Sequence, residues 1–207
     1  AGPDEIVFAI PGTGPHTIQP TSALPTITGA AEIDATTQPG YSGAPVVELD
    51  GSVAGVTTSG LVINAGSSTV QGLAINRFGR DGIQVTGSGG NQVRGNFLGT
   101  DASGTTALPN GRFGIYLAAP NNQIGSTGVG EGNLISGNAA SGVYISGAGS
   151  MGNVLQGNRI GTDVTGTVAV ANLGYGIDLR APQATIGGSA IGAGNLISGN
   201  MAGGLQL

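Results

Sequence analysis

A single-stranded parallel β-helix is the all-β fold class this sequence predicts, with three short strands per coil and about seven to eight coils. Three observations predict it. Six copies of one short stretch recur: Gly60-Leu-Val-Ile63, Gly82-Ile-Gln-Val85, Gly114-Ile-Tyr-Leu117, Gly142-Val-Tyr-Ile145, Gly176-Ile-Asp-Leu179 and Gly204-Leu-Gln-Leu207, at intervals of 22, 32, 28, 34 and 28 residues. Each is a glycine followed by apolar, variable, apolar, the period-two pattern of a short half-buried strand. A second level repeats at 62 residues, where Asn91-Gln-Val-Arg-Gly-Asn-Phe-Leu-Gly-Thr-Asp101 returns as Asn153-Val-Leu-Gln-Gly-Asn-Arg-Ile-Gly-Thr-Asp163 and Gly132-Asn-Leu-Ile-Ser-Gly-Asn138 returns as Gly194-Asn-Leu-Ile-Ser-Gly-Asn200. Glycine makes up 42 of the 207 residues, against about 7% in ordinary proteins. With 39% apolar and only 8% charged residues, the chain is too hydrophobic for a solvated coil. Its few aromatics leave a core of Val, Ile and Leu, which suits thin stacked layers.

Residues 1–58 differ in texture. Seven of the ten prolines lie there, between short apolar runs such as Glu5-Ile-Val-Phe-Ala-Ile10 and Val46-Val-Glu-Leu49. Proline cannot donate to a ladder and belongs at strand starts, edges and turns. The first coil of a solenoid exposes backbone and apolar side chains, so this segment is expected to hold a cap and irregular first coils. Residues 59–207 are expected to be regular coils of the same continuous domain. A coil holds the Gly-apolar-x-apolar strand, then Asn-x-apolar, then Gly-Asn-x-apolar. The 22-residue step from Gly60 to Gly82 is the bare coil. Longer steps add an insertion after the third strand (residues 100–110 and 162–172) or before it (125–132 and 187–194).

Alternation along the strands places Ile83, Val85, Ile115, Leu117, Val143, Ile145, Ile177 and Leu179 inside. It places Val62, Gln84, Tyr116, Tyr144, Asp178 and Gln206 outside in one row. Asn96, Asn133, Asn158 and Asn195 fall at one corner and Asn91, Asn122 and Asn153 at another. There an inward amide can satisfy backbone groups and the amide of the next coil.

These repeats, and the opening Ile6-Val-Phe-Ala-Ile-Pro-Gly12, Thr17-Ile-Gln-Pro20 and Thr36-Thr-Gln-Pro-Gly-Tyr-Ser-Gly43, resemble the right-handed parallel β-helix regions of large bacterial secreted or surface proteins. The resemblance covers essentially the whole chain. The wider superfamily, similar to pectate lyases, holds lyases, glycoside hydrolases, epimerases and modules with no known activity, so fold alone chooses no function. The right-handed winding and a secreted or cell-surface location are what the resemblance implies.

The net charge of −5 is uneven: the first fifty residues carry six acids and no arginine, and all six arginines lie beyond, against five acids. No basic footprint for nucleic acid results, and no run approaches the ~18–20 apolar residues of a membrane helix. The chain start lacks a signal peptide's basic and apolar segments, which predicts a mature or trimmed fragment. Gly203-Gly204-Leu-Gln-Leu207 opens a new coil. This end is therefore expected either to continue or to associate end to end with another copy.

Catalysis finds little to work with. A glycosidase needs two carboxylates roughly 5–9.5 Å apart across the scissile bond. The Asp-Asp, Gly-His-Gly and Arg-x-Lys motifs of similar pectin hydrolases are absent. The chain has no lysine, and its one histidine, His16, sits in the proline-rich segment. Asn76-Arg-Phe-Gly-Arg-Asp81 is the tightest charged cluster and reads as a solvated bend with a local ion pair. No cofactor is required. Calcium alone could be held, at Glu32, Asp34, Glu48 and Asp50, if their two strands stack as neighbours. Asp101 and Asp163, one acid per loop, read as turn caps. In the outer row Tyr116 and Tyr144, flanked by Gln84 and Asp178, offer apolar area with a polar rim to a polysaccharide. The competing reading is a stabilising tyrosine ladder. The expected function is thus a non-catalytic adhesive or spacer module. Carbohydrate binding through the tyrosine row is the alternative, and a polysaccharide lyase or glycoside hydrolase comes third.

Overall fold

The computed structural model describes residues 2–207, and they wind into a stack of parallel coils. The first coil holds β1 (Asp4–Val7) and β2 (His16–Ile18) and closes at Ile27, which bridges to Ile63. The second holds β3 (Ala31–Asp34), a single 3-10 turn (Ala35–Thr37), β4 (Val47–Asp50) and β5 (Leu61–Ile63). The third has β6 (Thr69–Gln71), β7 (Leu73–Asn76) and β8 (Ile83–Val85), and the fourth β9 (Gln92–Arg94), β10 (Phe97–Leu98) and β11 (Ile115–Leu117). The fifth has β12 (Gln123–Ile124), β13 (Leu134–Ile135) and β14 (Val143–Ser146). The sixth has β15 (Val154–Leu155), β16 (Arg159–Ile160) and β17 (Tyr175–Arg180), and the seventh β18 (Thr185–Ile186), β19 (Leu196–Ile197) and β20 (Gly203–Gln206).

Each strand pairs in parallel with its counterpart one coil away, never with its neighbour along the chain. The result is three sheets: β1-β3-β6-β9-β12-β15-β18, then β2-β4-β7-β10-β13-β16-β19, then β5-β8-β11-β14-β17-β20. The six glycine-led copies are the third sheet. Their glycines are dictated by stacking distance. A Cβ on Gly82 would lie 2.7 Å from the carbonyl oxygen of Gly114, and one on Gly114 would lie 2.8 Å from that of Gly142. Any larger residue would push the coils apart.

The interior is a column of aliphatic layers. Ile83, Val85, Ile115, Leu117, Val143, Ile145 and Ile177 are fully enclosed, and Leu179 is partly buried against them. Fully burying each such side chain is worth about 1.5–3 kcal/mol, so the layers supply most of the cohesion. The corners are closed by asparagines. Asn96 donates to Asn133, Asn133 to Asn158 and Asn158 to Asn195, through both backbone N–H and Nδ2 at 2.9–3.2 Å. Asn91, Asn122 and Asn153 form the second expected ladder. A third ladder, unforeseen in the sequence, joins Asn110, Asn138, Asn172 and Asn200. An unpaired buried amide would cost about 1–3 kcal/mol; here each rung satisfies the next.

Within residues 1–58, expected to hold a cap and irregular first coils, the described residues contain strands of the first two coils. Phe8, Ile10, Leu24 and Ile27 pack partly buried against the core at this end. Ile6 and Ile18 face inward, opposite Ile33 and Leu49, yet are 50% and 37% exposed. His16 also lies on an inward position, opposite Val47. The two long insertions form antiparallel bridges, Thr100 with Ala107 and Thr162 with Ala169, and stack through Val164 N–H donating to the Gly104 carbonyl at 2.9 Å. They cover the outer face of the second sheet, where Phe97, Leu134 and Ala74 make a second small core with Ala102 and Val164.

Candidate functional site

The outer row of the third sheet is in register as the alternation requires: Val62 opposite Gln84, Gln84 opposite Tyr116, then Tyr144, Asp178 and Gln206. All six side chains are partly exposed. What the sequence did not reveal is how the row is joined. Phe113, just before the glycine of its strand, stacks on Tyr144 with ring centroids 4.6 Å apart and planes 6° off parallel. Tyr116 and Tyr144 stack at 5.8 Å and 19°. The Arg112 guanidinium lies 4.8 Å from the Phe113 centroid and 5.1 Å from that of Tyr116. Ring faces that would carry a sugar are turned toward one another and toward the guanidinium, the arrangement of a stabilising aromatic stack.

Arg112 is itself fixed from below. Its Nε and Nη2 donate to the two oxygens of Asp81 at 2.9 and 2.8 Å, and the Phe113 N–H donates to the same carboxylate at 3.2 Å. Asp81 is completely buried. Those hydrogen bonds push the Arg112 pKa up against the lowering effect of burial, and the Asp81 charge adds to the rise. The ion pair expected within residues 76–81 is therefore not local. Asp81 reaches one coil on to Arg112, and Arg77 instead meets Asp50 at 3.4 Å. Gly-Arg-Phe-Gly at residues 111–114 was a visible signal, since it sets an arginine and an aromatic directly against a third-sheet strand.

The flanking polar members of the row are engaged too. Asp178 accepts from Arg180 Nε at 2.6 Å, and Gln84 accepts from Ser59 Oγ at 3.4 Å.

The calcium reading rested on Glu32, Asp34, Glu48 and Asp50 meeting on adjacent strands, and that premise is corrected. Glu32 and Asp34 are on β3 in the first sheet, Glu48 and Asp50 on β4 in the second. Consecutive strands of a coil lie on different sides of the column. Each acid has a different partner: Glu32 accepts from Gln71, Asp34 caps the 3-10 turn at Thr36, Glu48 accepts from Thr17 and Asn76, and Asp50 accepts from Gln19 and the Ser52 N–H. No cluster of three or more metal-ligating His, Cys, Asp or Glu exists among the described residues.

Asp101 and Asp163 cap their loops as expected. Asp101 accepts from Ser103 Oγ and the N–H groups of Thr105 and Thr106, and Asp163 from Thr165 Oγ1 and the N–H groups of Thr167 and Val168, at 2.8–3.1 Å. Burial alone would raise both carboxyls, but these hydrogen bonds outweigh it and hold both below the ordinary carboxylate range.

Comparison of the chain with protein-family models, with curated proteins and with solved structures finds no match. The chemistry therefore has to be argued from the side chains themselves.

Proposed function

We propose that this chain is a non-catalytic β-helix module, an adhesive or spacer segment of a larger bacterial protein that is secreted or displayed at the cell surface. The observation that carries this reading is the use made of the charged groups. Asp81, Asp50 and Glu48 each hold one coil to the next, Asp101 and Asp163 close their own loops, and Asp178 pairs with Arg180 on its own strand. A general acid or base must keep a proton-exchanging atom free for substrate.

The tyrosine row is read in the same way: with their faces stacked, Tyr116 and Tyr144 stiffen the third sheet. End-to-end association is the self-interaction this reading allows, through strand edges left unpaired at either end of the stack among the described residues.

The test is incubation with a panel of neutral and acidic polysaccharides, assaying new reducing ends and unsaturated products. No product is expected from any polymer, and turnover of one would overturn the reading. Changing Tyr116 and Tyr144 together to Ala should lower the melting temperature while leaving mobility in polysaccharide-containing native gels unchanged. A loss of retardation would transfer the row to carbohydrate recognition.

A further inference from the structure

A second polar cluster occupies the outer face of the first sheet. A cleft of about 240 Å³ lies there. Its floor is Gln71 of β6 and Arg94 of β9, adjacent in register. One wall is Tyr41, from the turn that follows the 3-10 segment; the other is Val129 and Glu131, from the insertion before β13. Gly95 keeps the floor low: it adopts φ +62°, and a Cβ there would sit 2.9 Å from the Gly130 carbonyl oxygen. Four coils thus converge on one depression, smaller than the roughly 300–1,000 Å³ typical of drug-sized ligands. It suits one small ring.

The polar atoms facing it are only partly satisfied. Arg94 donates from Nε to Gln71 Oε1 at 2.9 Å and from Nη1 to Glu131 Oε1 at 3.3 Å. Among the described residues its Nη2, the Glu131 Oε2 and the Tyr41 hydroxyl have no hydrogen-bond partner. Burial, with the nearby Asp34 charge, raises the Tyr41 pKa, so the phenol remains a donor at neutral pH. The cleft therefore presents guanidinium donors beside a carboxylate acceptor, with a phenol opposite. A pair of vicinal hydroxyls matches that alternation, since each can accept from the arginine while donating to the carboxylate. An anionic ligand would meet Glu131 with Asp34 and Glu32 behind it, and a cation would meet the guanidinium.

We propose that this cleft binds a single pyranose unit of a neutral saccharide, held by Arg94 and Glu131 across a vicinal diol and closed by Tyr41. It lies on a different sheet from the tyrosine row and involves none of its residues. It gives the scaffold a point of attachment to a neutral glycan.

The test is titration of the whole chain with methyl α-D-glucopyranoside, methyl α-D-mannopyranoside, methyl α-D-galactopyranoside and galacturonic acid, followed by calorimetry and by tyrosine ring signals in NMR. At least one neutral glycoside should bind, and galacturonic acid should bind at least about ten-fold more weakly. Glu131→Gln and Tyr41→Phe should each weaken binding about five- to ten-fold without changing the melting temperature, because each removes one hydrogen bond from a partly exposed side chain. Arg94→Ala should abolish it, and Tyr116→Ala should leave it intact. The proposal is overturned if none of the three glycosides binds, if galacturonic acid binds as well as they do, or if Glu131→Gln binds like the unaltered chain. Product assayed in the same samples reports separately on the non-catalytic reading.

Discussion

Two arginine–carboxylate pairs lie on the outside of neighbouring coils, and they serve different ends. Arg112 and Asp81 meet through two bonds of 2.9 and 2.8 Å, with the carboxylate fully buried. Arg94 and Glu131 share one contact of 3.3 Å, with their side chains 29% and 37% exposed. In the first pair both carboxylate oxygens are engaged, by the guanidinium and the Phe113 N–H, and the guanidinium also lies over the Phe113 and Tyr116 rings. The second keeps a donor and an acceptor turned toward a cleft. An arginine–carboxylate pair acts as a fastener where the carboxylate is buried with both oxygens engaged, and as a recognition point where one carboxylate oxygen is left open.

The comparison can be broken at its stronger side. Arg112→Ala would leave the Asp81 carboxylate buried with only the Phe113 N–H, and should destabilise the fold by about 3 kcal/mol in chemical denaturation. That is the low end for a broken buried pair, because the guanidinium edge is wetted. Adding Asp81→Asn should recover part of the loss; if it recovers none, the pair is not what holds the two coils. Phe113→Ala removes the face stacked on Tyr144 and should cost about 1 kcal/mol beyond the lost apolar area. A double-mutant cycle with Tyr144→Ala would measure that coupling.

Acid titration sharpens the contrast by adding a third kind of carboxylate, the loop caps. Because Asp101 and Asp163 are held below the ordinary value of about 3.9, the stability they contribute is complete above that pH. It is lost as pH falls through their depressed pKa values. Melting temperature should therefore fall on the acid side of about pH 4, and Asp101→Asn with Asp163→Asn should make that decline shallower. An unchanged slope would mean the caps contribute nothing to it. The smallest stability effect belongs to the open pair. Arg94→Ala should shift stability by no more than about 0.5 kcal/mol, as exposed ion pairs do, while its effect on glycoside binding is the largest of the set.

Much of this architecture was legible because a solenoid repeats its constraints. Glycine before an apolar-x-apolar stretch marks a place where the next coil's carbonyl lies 2.5–2.8 Å from any Cβ, as at Gly60, Gly82 and Gly114. The outer row from Val62 to Gln206 followed from period-two alternation within the recurring strand, and two of the three asparagine ladders followed from the recurrence itself. The third was hidden because its members come from different contexts. Asn110 and Asn172 end the long insertions, whereas Asn138 and Asn200 close the Ser-Gly-Asn turns, and only unequal loop lengths bring them to one corner.

By itself, then, the sequence determined the coil, the sense in which each side chain points and the register of the third sheet, because those depend on a period of two within strands and on a recurring unit between them. Tertiary structure alone decided which charges meet. Strands consecutive in the chain, such as β3 and β4, stand on different sides of the column, which separated Glu32 and Asp34 from Glu48 and Asp50. Partners such as Asp81 with Arg112, 31 residues apart, or Arg94 with Glu131, 37 apart, meet across coils. Their separation is set by the length of the intervening insertion, and where an insertion folds back over a sheet depends on the packing beneath it.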